Sequence, residues 1–175
     1  MRLILSLLVC VAGIVSPATS QVGSDEAFAA TIERLSEPGG YFDTDNLISN
    51  EASYLHVMGA LEDLGLRGGA YLGVGPDQNF SYIAAVRPEL AIIVDIRRDN
   101  LLEHLLFKAL FELSRDRAEY LELLLARHMA DRPSPDAAIE RIVAQIDSAR
   151  FDPRLLASTR ERVHRRIGGY GLRLS

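Results

Sequence analysis

Gly69-Ala70-Tyr71-Leu72-Gly73-Val74-Gly75-Pro76-Asp77-Gln78-Asn79-Phe80 is the stretch on which the reading of the fold turns. Ala70 to Val74 is a short apolar run bounded by glycine, as a strand would be. Pro76 suits the first turn of a helix, which Phe80, Ile83, Ala84 and Val86 continue until Pro88. Leu90-Ala91-Ile92-Ile93-Val94-Asp95-Ile96 follows. It is β-branched and apolar on both faces, the pattern of a buried parallel strand. From Gly69 to Arg97 the chain therefore reads strand, glycine loop, helix, strand.

That order gives the loop a chemistry. Glycine lets the backbone turn sharply and approach a ligand closely. The helix that follows offers unpaired N–H groups and a partial positive charge to an anion. Asp95, at the end of the second strand, stands roughly 20 residues beyond the first glycine, where such folds keep an acid for ribose hydroxyls. A dinucleotide fingerprint wants a third glycine three residues after Gly75, and Gln78 is there instead, which disfavours NAD. The plain alternative is a structural turn, with Asp95 capping the next helix.

Upstream, Ser24-Asp25-Glu26 provides a cap and an acidic first turn for a helix ending near Ser36, and Pro38-Gly39-Gly40 stops it. Tyr41 to Ile48 reads as an ordered loop. Ser49-Asn50 is expected to cap a second helix carrying Tyr54, Leu55, Met58, Leu61 and Leu64 on one face and ending at Gly65. Downstream, everything after Asn100 reads as helix. Leu101, Leu105, Ala109 and Leu113 belong to one broad stripe, and Tyr120, Leu121, Leu124 and Leu125 to a further helix. Asp131 to Pro135 is a turn, Ile139 to Ile146 the next helix, and Pro153 begins the last.

The N-terminus has the pattern of an export signal: Met1-Arg2, the apolar run Leu3 to Val15, a break at Ser16-Pro17, then Ala18-Thr19-Ser20 before the expected cut. The run is shorter than the ~20 residues of a membrane span. Residues 1–20 are thus a signal peptide and 21–175 one domain, exported to the periplasm or medium, with no stable span after cleavage. Cys10, the single cysteine, lies inside that signal, which leaves no thiol for a disulfide, metal site or nucleophile.

The 175 residues suffice for one domain; 48% hydrophobic and 25% charged residues mean a packed core. A net charge of −5 argues against nucleic acid as a partner. His56, His104, His128 and His164 lie too far apart in sequence to form a metal site. No glycine–serine elbow or Walker loop occurs. Arg160, Arg162, Arg165 and Arg166 read as a solvated face of the last helix.

Three segments together resemble an uncharacterised bacterial family with a class I S-adenosylmethionine-dependent methyltransferase-like fold: Phe42 to Glu51, Tyr71 to Phe80, and Val94 to Leu101. The resemblance covers roughly residues 25 to 130. It implies an α/β fold with a Rossmann-like three-layer core, incomplete here at two parallel strands, and a helix-rich C-terminal half. It implies S-adenosylmethionine as cofactor. Gly73 and Gly75 would line its amino-acid end and Asp95 its ribose. The methyltransferase pattern has an acid where this chain has Tyr71, and Asp77 or Asn79 would supply the missing polar contact. Asn50 and Glu51 would reach the same pocket, or else serve as a helix cap and a first-turn charge.

A complete core of that class has seven strands. The tail Gly168 to Ser175 reads as the start of a further element, so the chain is expected to be an N-terminal portion with exposed sheet edges prone to self-association. Methyl transfer needs alignment more than acid–base help, and no catalytic residue is assigned. S-adenosylmethionine is a cytoplasmic compound, at odds with export. Two other functions stay open: a non-catalytic exported module on a Rossmann-like scaffold, and an NAD-type oxidoreductase.

Overall fold

The computed structural model describes residues 24–38, 47–48 and 53–174. The expected signal peptide and the Ser49-Asn50 helix cap lie outside these. The fold is mixed α/β and helix-rich, with a two-stranded parallel sheet. No described helix is long and apolar enough to cross a membrane.

Helix α1 (Asp25–Leu35) begins where Ser24 Oγ accepts from the Ala27 N–H at 3.1 Å. A 3-10 turn (Tyr54–Val57) runs into the short α2 (Met58–Asp63), and Gly65 turns the chain at a φ of 60°. Strand β1 (Ala70–Val74), α3 (Gln78–Val86) and β2 (Leu90–Val94) then form the expected unit. The strands pair in register, Ala70 with Leu90 through Val74 with Val94. Asp77, not Pro76, is the N-cap of α3, so the helix starts slightly later than the proline suggested.

Paired residues of a parallel ladder point to the same side of the sheet. Tyr71 and Gly73 face α3, whose Asn79 packs onto them. The opposite face carries Leu72 and Val74 at 72% and 67% exposure, with Leu90 and Val94 also exposed. β2 is therefore not buried on both sides as its composition suggested. Apolar composition reports the demand for a cover; among the described residues nothing supplies one.

The core sits in the other half, among α4 (Arg98–Leu113), α5 (Arg117–Leu125), α6 (Ile139–Ser148) and α7 (Pro153–Gly168). Ala109, Leu110, Leu123 and Val163 form one buried cluster joining α4, α5 and α7. Ala118, Met129, Ile142 and Ile146 form a second between α5 and α6. Asp152 Oδ1 accepts from the Arg154 and Leu155 N–H groups, and Pro153 occupies the first turn of α7, where its missing donor costs nothing.

The tail past Gly168 forms no regular element through Leu174. Tyr170 is fully buried, meets Phe28 of α1 edge to face, and donates its hydroxyl to Glu112 of α4. The arginines of α7 are not one solvated face either. Arg166 binds both carboxylate oxygens of Asp25 and also Glu112, Arg162 donates to the Leu113 carbonyl, and Arg165 pairs with Glu161.

Candidate functional site

The carboxyl ends of β1 and β2 bring the glycine loop and Asp95 together. Gly75 is buried and has a φ of 85°, a conformation costly to any residue with a side chain. Its N–H donates to the Val94 carbonyl at 3.0 Å, which ties the loop to the end of β2. A β-carbon at Gly75 would stand 3.8 Å from Asp95 Oδ2 and 3.6 Å from Gln78 Nε2.

Gly73 is a glycine for another reason. A β-carbon there would collide with the Asn79 amide and come within 2.7 Å of the Tyr71 ring. Asn79 is 2% exposed and its amide is fully occupied. Its Nδ2 lies 3.1, 3.3 and 2.7 Å from the carbonyls of Val74, Gly75 and Pro76, and its Oδ1 accepts from the Tyr71 hydroxyl at 2.7 Å. Asn79 thus braces the loop from inside and presents no group to a ligand. Burial, reinforced by neighbouring Tyr82, raises the Tyr71 hydroxyl above its ordinary pKa, so it stays a neutral donor.

Asp95 follows β2 directly. Its Oδ1 accepts from the Arg97 N–H at 2.6 Å and lies 3.6 Å from Arg97 Nε, which turns the chain into α4. Oδ1 thus serves the entry to α4, and Oδ2 lies on the side of Gly75. Asp77 is exposed at the α3 N-cap and makes no capping bond. Asn50 and Glu51 lie outside the described residues.

A family model described as a domain of unknown function, DUF7790, matches residues 46–170. The chain belongs to the DUF7790 family. No curated protein and no solved structure matches it. The DUF7790 match takes in both the β1–α3–β2 unit and the helices from α4 to α7.

The DUF7790 helices add to the site residues that sequence reasoning passed over. His104, on the second turn of α4, lies with Nε2 2.9 Å from the Gly75 carbonyl, so Nε2 carries the proton and donates. Asn100 lies one turn before Glu103 and His104, at spacings of three and four residues. Asn100 is fully buried, and neither of its amide atoms finds a partner among the described residues. Glu103 Oε2, His104 Nδ1 and Gln78 Oε1 are buried and unpartnered as well. The sequence signal was available as polar residues, His104 among them, interrupting an otherwise leucine-rich helix. Among the described residues no group of three or more metal-type side chains could hold an ion. Two depressions lie elsewhere: one of about 530 Å³ beside α7 at Leu156 and His164, one of about 340 Å³ between α1 and Tyr170.

Proposed function

We propose that this protein is a methyltransferase-like domain that binds an adenosyl cofactor, S-adenosylmethionine, at the carboxyl ends of β1 and β2. The observation that carries the reading is the approach of Asp95 Oδ2 to Gly75 at the loop between adjacent parallel strands. Open α/β sheets bind ligands at such strand ends. In this reading β1–α3–β2 is part of a Rossmann-like core. Gly75 admits the cofactor, Asp95 Oδ2 accepts from its ribose, and Gly73 with Asn79 holds the loop in shape. Catalysis of transfer, with an unidentified acceptor, is part of the proposal only if binding is found.

Calorimetric titration of S-adenosylhomocysteine into the full chain tests this, with NAD in a parallel titration. Saturable heat from S-adenosylhomocysteine alone supports the reading. Heat from NAD alone transfers the site to an oxidoreductase, and heat from neither removes the adenosyl reading.

One observation favours a second reading, a non-catalytic scaffold. Asn79 and Tyr71, which stand where polar cofactor contacts were expected, bond to each other and to the loop. On this reading Asp95→Ala changes stability and no ligand affinity. The proposal also includes export through residues 1–20, checked by sequencing the N-terminus of the protein recovered from the periplasm. It further includes self-association through the open sheet face of Leu72, Val74, Leu90 and Val94.

A further inference from the structure

Tyr170 is fully buried although it lies beyond the last helix. Its ring centroid is 4.5 Å from Arg166 Cζ and 5.1 Å from Lys108 Nζ, and its hydroxyl donates to Glu112. Helix α1 adds to the cover: Phe28 meets Tyr170 edge to face at 5.7 Å and has Lys108 Nζ 5.0 Å from its own ring centroid. Three residues before Phe28, the Asp25 carboxylate accepts from both Nη atoms of Arg166 at 2.7 and 2.9 Å. A carboxylate and a ring one helical turn apart thus engage one cationic, aromatic seat made by α4, α7 and the tail.

The seat is built by the helical core, and α1 sits on it as an addition. With 11 residues α1 is too short to keep its helix unaided, and Ala29 is its one buried residue. A depression of about 340 Å³ runs along the contact, lined by Glu26, Ala29, Ala30, Glu33 and the glycines beside Tyr170. Farther along, Glu33 and Arg173 form an exposed ion pair at 3.5 Å, which is worth little in water. The helix is therefore held firmly at its start and loosely along its length. Charge points the same way: without Asp25, Lys108 and Arg166 stand against the single carboxylate of Glu112. The DUF7790 match takes in Lys108, Glu112, Arg166 and Tyr170 and begins after α1.

We infer that this seat is a peptide-binding surface and that α1 is its tethered ligand, a strap that leaves and returns while the helical core stays folded. The seat selects a helix with a carboxylate at its start and an aromatic ring three residues on, read together by the Arg166 fork and the Tyr170 ring. Its occupant in trans is α1 of a second copy, identical in chemistry to the one in place, an exchange of the domain-swapping kind. Tethering favours the chain's own α1 through effective concentration, so the seat takes a second copy's α1 where the contact within the chain is weakened. No residue of the glycine loop takes part, and the inference is independent of the adenosyl reading.

The test titrates the full chain into a synthetic peptide of residues 24–38 carrying a C-terminal fluorophore, followed by anisotropy. In the receptor chain, Asp25→Ala with Phe28→Ala weakens the contact made by its own α1 and leaves the seat intact. That receptor is expected to bind the peptide saturably and roughly tenfold or more tighter than wild type does, and adding Arg166→Gln to it should abolish the gain. A scrambled peptide of the same composition should not bind, and circular dichroism establishes that each variant is folded. Hydrogen exchange on the wild-type chain, which needs no variant, reads the strap directly. Interior amides of α1 should exchange about tenfold or more faster than those of α4 and α7. The inference is overturned by no saturable binding, by equal binding to the wild-type and weakened receptors, by equal binding of the scrambled peptide, or by α1 exchanging only together with α4 and α7.

Discussion

Asn79 fills the space that a side chain on Gly73 would need: a β-carbon there would run into the Asn79 amide oxygen, and the Tyr71 ring would be 2.7 Å away. Gly73 is thus matched to Asn79 across the first turn of α3. Gly73→Ala should destabilise the fold by about 1–3 kcal/mol, as overpacking does. Asn79→Ala should also destabilise, because Tyr71 and the loop carbonyls lose their partner. The double variant should be less unstable than the sum of the two singles, since removing Asn79 makes room at 73. Urea unfolding of the four proteins measures this, and strict additivity would show that the two residues act separately.

Asp95 divides its oxygens between the start of α4 and the loop. Asp95→Asn keeps an acceptor for the Arg97 N–H and should retain most of the stability, whereas Asp95→Ala should lose about 1 kcal/mol. Under the adenosyl reading Asp95→Ala also weakens S-adenosylhomocysteine roughly tenfold or more. Stability loss with undiminished affinity would assign Asp95 to the helix alone.

Glu112 and Asp25 meet at Arg166. Burial pushes the Glu112 carboxyl upward, but hydrogen bonds from Lys108, Arg166 and Tyr170 outweigh it and hold the group below the usual carboxylate range. The hydrogen bond from Arg166 does the same for Asp25 against a smaller cost of burial. A depressed folded pKa stabilises the protein above the unfolded value of about 4, and that stabilisation disappears as pH falls through the lower folded value. The urea midpoint should therefore drop on acidification below about pH 5, and Glu112→Gln should flatten this acid limb. An identical limb in the variant would mean that other carboxylates set it.

Leu72 and Val74 stand on the open face of the sheet at 72% and 67% exposure. Contiguous exposed apolar surface on a sheet promotes association. Light scattering should find the chain self-associating with concentration, and Leu72→Lys with Val74→Thr should shift it toward monomer. A wild type that stays monomeric at every accessible concentration would rule this face out as a contact between copies.

The local units were legible because their causes are local. Pro88 after α3, Pro153 at the start of α7 and Gly65 after α2 act within a turn of where they stand. The parallel pairing of β1 with β2 follows from a short strand–helix–strand connection, and the proximity of Gly75 to Asp95 follows from that pairing. The packing of Asn79 against Gly73 was not legible, because a glycine pattern does not tell a ligand's approach from a neighbouring side chain's. His104 went unused because its partner, the Gly75 carbonyl, is 29 residues away in sequence.

What the sequence determined by itself was the order and type of the elements and the position of the glycine loop between two strands, all properties of hydrophobic period and backbone preference over a few residues. Tertiary structure alone decided which polar groups meet. It turned Asn79 inward as a brace, joined Arg166 to Asp25 across the fold, and laid His104 against the loop. Hydrogen bonds and burial depend on distances in space, and residues far apart along a chain have none until the helices pack.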